Sequence, residues 1–237
     1  MLELSNLQNT SHLNLIWKYY MTTTTAVQVG TKHSTIYITL IVWFFLITGL
    51  SLNQSFIPKM GEPPLNLLIS AIISISLFFS AYLFMPRFRQ YVLKLDMRFL
   101  IMLHTWRMLG MGFIMLYLFD ELPPLFAFLA GFGDAATAIA AVFLAYALFT
   151  RTQGVSKQWV SRWNTFGLLD FIIAVSVGVL TQTNGILFAA SGIDSDLMTA
   201  YPFVLIPGFL VQVFSIIHII IYLQLKNNHH NQSLISL

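Results

Sequence analysis

Six apolar runs, at 35–53, 65–85, 99–119, 123–150, 163–182 and 201–225, are separated by short polar connections. A helix of about 20 residues crosses the hydrocarbon core of a bilayer, and in that solvent a chain satisfies its backbone groups only as helices or as a closed barrel. The expected fold is therefore an all-α integral membrane protein, a bundle of about six transmembrane helices occupying 35–225. The composition agrees, because only 9% of residues are charged, 57% are hydrophobic and the mean hydropathy is +0.76. A soluble domain carries about 25% charged residues.

Prolines punctuate these runs. Pro58, Pro63, Pro64, Pro86, Pro123, Pro124 and Pro202 fall at or just outside the proposed ends, where a missing backbone donor costs least. Pro207 is the exception: it lies inside the sixth run, before Gly208, and predicts a kink whose freed carbonyls are met by neighbours. Residues 1–34 lack the apolar core of a cleavable signal peptide and read as a cytoplasmic tail. An alternative reading makes Leu2 to Tyr20 a surface helix, with Leu13, Ile16, Trp17 and Tyr20 at helical spacing. Met21 competes with Met1 as the true start. Residues 226–237 form a second polar tail, in which His229 and His230 are expected to be solvated.

Lys and Arg set the expected orientation. Lys18, Lys32, Arg87, Arg89, Lys94, Arg98, Arg151, Lys157, Arg162 and Lys226 all fall on one side of the six runs, whereas the other side holds only Lys59 beside Glu62, Asp120, Glu121, Asp194 and Asp196. The positive-inside rule then puts both termini in the cytoplasm, most naturally across a bacterial cytoplasmic membrane. Trp159 and Trp163 near one interface and Tyr201 near the other fit aromatic anchoring. The lipid bilayer is the expected partner, joined by a second copy or a membrane-complex subunit. A formal charge of +3 gives no reason to invoke nucleic acid. With no cysteine in the chain, disulfides, thiolate metal sites and cysteine nucleophiles are excluded.

The third run carries His104 and Arg107, and an arginine at such depth requires a partner. Two acids stand in comparable settings, Asp134 in the fourth run and Asp170 in the fifth. Counting about 1.5 Å per residue, His104, Arg107, Asp170 and His218 fall at about 8 to 12 Å from the same surface, with Asp134 and Gln212 nearer the middle. These six are the candidate ligand- or proton-binding residues. His104, Arg107, Met108, Met111 and Met115 share an arc of about 100° on an ideal α-helix, and Gln212, Ser215 and His218 form a ridge on the sixth. Small residues at spacings of four, Gly133, Thr137, Ala141 and Ala145 on one run and Asp170, Ala174 and Gly178 on another, predict close helix contact.

One arginine against two buried aspartates leaves a negative charge over. The second carboxyl must carry a proton, meet a histidinium or hold an ion. The first functional reading is thus a protein that binds or moves a small solute or protons, with an enzymatic role left open. A second makes His104 and His218 the axial ligands of a b-type haem in a redox protein. A third keeps the charges purely for assembly, as in a structural subunit. A copper site from His104, Met108, Met111 and Met115 is chemically conceivable, although methionine is ordinary filler in apolar helices. No lysine lies within a run to form a retinal Schiff base, and no hydrolase elbow, metalloprotease motif or phosphate loop is present.

Overall fold

The computed structural model describes residues 34–59, 62–150, 155–183, 185–188 and 192–227. Both polar tails lie outside them, and with them the surface-helix reading of Leu2 to Tyr20, the choice between Met1 and Met21, and His229 and His230. The described residues fold only as helices, turns and loops. Six helices are long and apolar enough to cross a membrane: Ser34–Leu52, Leu65–Phe84, Met97–Leu118, Pro124–Thr150, Lys157–Leu180 and Ile206–Asn227. They are called the first to sixth helices below. Four match the expected runs to within a few residues at both ends; the fifth begins six residues earlier than expected and the sixth five residues later. The chain divides into two units, Met1–Leu46 and Ile47–Leu237, and the second unit contains the second to sixth helices.

Local chemistry sets the helix boundaries. Pro86 opens a short helix, Pro86–Leu93, and Pro124 opens the fourth helix, positions where proline's fixed φ suits a first turn and its absent N–H is not missed. The Asp96 carboxylate accepts the Arg98 amide at 2.9 Å and caps the third helix. The Ser156 hydroxyl accepts the Gln158 amide at 3.3 Å at the start of the fifth. Gln224 at the end of the sixth helix donates to the carbonyls of Val92 and Leu95 at 3.0 and 2.9 Å, tying the sixth helix to the end of the short helix and the turn that follows it.

Two of the long helices depart from α geometry. The third winds as a 3₁₀ helix over His104–Met111, between α segments Met97–Leu103 and Gly112–Leu118. The sixth begins with a π turn over Ile206–Leu210, at the proline where a kink was expected. There the Gln212 side-chain amide donates to the Pro207 carbonyl at 3.3 Å, a bond within the same helix that spans the π turn.

The core falls into two apolar clusters. One gathers Tyr82, Val92, Ile101, Ala141, Val160, Trp163 and Ile221, and the other Phe113, Leu122, Phe126, Ala130, Val177 and Met198. Along the third helix, His104, Arg107 and Gly110 lie between Ile101 of the first cluster and Phe113 of the second; Asp134 and Asp170 occupy the same interval on the fourth and fifth. A polar layer therefore separates two apolar ones. Outward faces carry large apolar side chains, among them Leu109, Phe143 and Leu83, each about two-thirds exposed.

Candidate functional site

Arg107 is the centre of the polar layer. Its side chain is 1% exposed, and its guanidinium can only donate, in a fixed planar fork. Nε donates to Asp134 Oδ1 at 2.7 Å, Nη2 donates to Asp170 Oδ2, and Nη1 donates to the Gly167 carbonyl at 3.1 Å. His218 Nε2 lies 3.1 Å from the same Nη1. The guanidinium also lies over the Phe171 ring, 3.7 Å from its centroid, a cation–π contact in a desolvated setting. One side chain of the third helix thereby binds the fourth, fifth and sixth.

Because arginine has no acceptor, His218 Nε2 must offer its lone pair, which leaves the imidazole neutral with its proton on Nδ1. That proton is donated to Asn164 Oδ1 at 2.8 Å, and Asn164 Nδ2 returns a bond to the His218 carbonyl at 3.1 Å. His218 thus supplies no charge to the cluster. With both carboxylates ionised, one arginine and two aspartates sum to −1.

Close approach is achieved through glycines. A Cβ on Gly110 would collide with the Asp134 carboxyl group, one on Gly133 with that of Asp170, and one on Gly167 would stand 2.6 Å from His218 Cε1 and Nε2. Each polar side chain contributed by the fourth, fifth and sixth helices thus rests on a glycine of the helix before it. The 3₁₀ winding is compatible with this approach. A period of three residues stacks His104, Arg107 and Gly110 in one line, putting the arginine and the glycine that accommodates Asp134 on one face.

This winding overturns the expected methionine arc. Met108, Met111 and Met115 are exposed while His104, Arg107, Gly110 and Phe113 are buried, so the methionines line no interior and no copper site forms with His104. Trp163 is likewise no interfacial anchor. It is buried, donates its indole N–H to the Thr137 carbonyl at 3.1 Å, and sets its ring edge-on to His104 at 5.1 Å between centroids.

His104 is fully buried and packs against His218, with ring centroids 4.0 Å apart and planes inclined by 33°. Neither of its ring nitrogens has a hydrogen-bond partner among the described residues. The pair does not fit haem. A bis-histidine iron sits between two imidazoles that point their nitrogens at it, whereas these rings lie face against face and both nitrogens of His218 are engaged. Nor do the described residues contain a group of three or more His, Asp or Glu side chains able to hold a metal ion.

Gln212 stands apart from the arginine. It accepts from the Ser74 hydroxyl at 2.6 Å and donates to Ser70 at 3.0 Å, joining the second helix to the sixth. Five of the six candidate residues are therefore assembled around Arg107, and the sixth serves a separate polar joint. Asn164 and Gly167 are the members that sequence reasoning missed. Their signal was present in the line Asn164, Gly167, Asp170, at the three-residue steps that keep side chains on one helix face.

Beside the cluster lies a cavity of about 480 Å³, walled mainly by the second, fifth and sixth helices. Its lining is apolar apart from a few groups, and its one charged residue is Asp134, which it shares with the arginine cluster. A second cavity of about 430 Å³ lies at the connecting loops and is lined by Lys59, Glu62, Thr183 and Asp196. Gln182 and Thr199 belong to the walls of both.

The fold and site define a class: six long apolar helices, four of them tied by a buried arginine to two aspartates and a neutral histidine. Residues 63–226 match a family described as a domain of unknown function, DUF8737. The match covers more than half of the chain, including the whole cluster, and the chain belongs to that family. Comparison with curated proteins and with solved structures gives no match.

Proposed function

We propose that this protein is an integral membrane protein, with both termini in the cytoplasm, whose Arg107 cluster carries one exchangeable proton or cation and uses it to bind or move a small solute. The observation that carries this reading is the double membership of Asp134. One of its oxygens is held by Arg107 Nε, and the residue is the only charge on the wall of the adjoining cavity. Asp170 is less suited to exchange, since it is 8% exposed at the side chain against 15% for Asp134 and lies outside that wall. In a bilayer interior a net charge of −1 is not left uncompensated. The compensating proton or ion therefore belongs at Asp134, where a solute can also arrive. Apolar outward faces and the uneven distribution of Lys and Arg support the membrane setting and its direction.

Infrared difference spectroscopy from about pH 5 to about pH 9 tests this, because a protonated carboxyl absorbs apart from a carboxylate. The expected result is a titrating carboxyl band that disappears in Asp134→Asn and persists in Asp170→Asn. A spectrum with no carboxyl band removed by either substitution would leave the cluster as a helix clamp. That second reading draws support from the four hydrogen bonds that Arg107 already makes.

A further inference from the structure

We propose that the cavity beside Asp134 takes a small lipophilic organic ammonium ion, whose positive charge replaces the compensating proton on that carboxyl. This deepens the preceding reading and rests on it. Three features on the cavity wall converge on such a ligand. The walls are formed by apolar side chains such as Leu67, Ile75, Phe113 and Val175, and the volume of about 480 Å³ suits a molecule of drug size. The single charge on that wall is negative and belongs to a cluster with one negative charge in excess. Gln182, buried and shared by both cavities, has a side-chain carbonyl oxygen with no hydrogen-bond partner among the described residues, an acceptor suited to an ammonium N–H.

The approach favours the same sign of charge. The cavity at the loops presents Glu62 and Asp196 against a single Lys59, and acidic walls raise the local concentration of cations. A phospholipid with an ammonium headgroup is a poorer fit, because its phosphate would enter a cavity whose wall offers no cation. Proton and ligand exchange in balance: the protonated Asp134 carboxyl gives up its proton as the ammonium ion arrives, leaving a carboxylate–ammonium pair and one proton released to solvent.

The test uses the full chain in maltoside micelles, titrated with octylammonium and, separately, with 1-octanol, which has the same alkyl chain without the charge. Calorimetry reads binding and a pH indicator in weakly buffered solution reads proton release. Expected are saturable octylammonium binding at least about tenfold tighter than that of 1-octanol, release of up to one proton per ligand, and loss of both the preference and the release in Asp134→Asn. Val175→Trp, which narrows the cavity and leaves every side chain of the arginine cluster unaltered in sequence, should abolish binding while the infrared carboxyl band remains, and it serves where Asp134→Asn fails to fold. Equal binding of the alcohol, or undiminished octylammonium binding in Val175→Trp, would overturn the inference. If octylammonium fails while the Asp134 carboxyl band still titrates, only the ligand class is wrong. If the band itself is absent, the proton-linked reading fails as well.

Discussion

At Gly167 a single hydrogen atom decides whether His218 can reach Arg107. A methyl group there would meet the imidazole at 2.6 Å and Thr137 Cγ2 at 2.9 Å, and the imidazole is held at both nitrogens and cannot swing away. Gly167→Ala should therefore destabilise by about 3 kcal/mol, the upper part of the range for overpacking. Gly112→Ala, whose Cβ meets nothing within 4 Å, should gain up to about 1 kcal/mol from helix propensity. Thermal unfolding followed by circular dichroism should thus move in opposite directions for the two, and a common direction would refute the packing account. Arg107→Leu strands the Asp170 carboxylate, leaves the Asp134 carboxyl without its donor and should cost about 3–5 kcal/mol, whereas adding Asp134→Leu and Asp170→Leu should restore folding, since replacing a whole buried ionic group is often neutral. Arg107→Lys should rescue little, because one ammonium cannot reproduce the planar fork. Equal instability of single and triple variants would mean that charge pairing is not what holds the helices.

The third helix illustrates at the scale of one element what a sequence leaves unsaid. Its extent was legible because length and apolarity are local properties, and Arg107 was conspicuous because a charge in such a run has few explanations. Its winding was not legible. The arc that included the methionines assumed a period of 3.6, whereas the 3₁₀ turn sets Gly110 against Asp134 of another helix, a contact that no local periodicity announces. The same reason hid Trp163, whose amphipathic ring near a helix end resembles an interfacial anchor until its bond to Thr137 is known. Because the native chain has no cysteine, single-cysteine variants can read the winding directly. Met108→Cys, Met111→Cys and Met115→Cys should react readily with a membrane-soluble maleimide, and Phe113→Cys should react at least about tenfold more slowly. Protection of Met108→Cys, Met111→Cys and Met115→Cys with ready reaction of Phe113→Cys would restore the α-helical arc.

For the whole molecule, the sequence supplied the number of helices and most of the cluster, since six apolar runs and three buried charges leave few arrangements. It did not supply partners that depend on polar residues of other helices, as with Gln212, which meets Ser70 and Ser74 rather than Arg107. Orientation rests on loop charge, and reporter fusions at Lys226 and near Lys59 should report cytoplasmic and external locations respectively; the reverse pattern would invert the proposed topology. The succession of glycines under polar side chains has a consequence for biosynthesis. Gly110 emerges before Asp134, Gly133 before Asp170 and Gly167 before His218, so each newly made helix finds its seat already present on the one before. Arg107 is the exception, for it leaves the ribosome ahead of both its acids. With an arginine near its middle costing about 2.5–3.5 kcal/mol of insertion free energy, the third helix should enter a bilayer poorly alone and well when the fourth follows. In a glycosylation-mapped insertion assay, a third-plus-fourth pair should then lose its advantage when Asp134 is replaced by leucine. On this account the nascent third helix waits beside the translocation machinery until its counter-charge is synthesised.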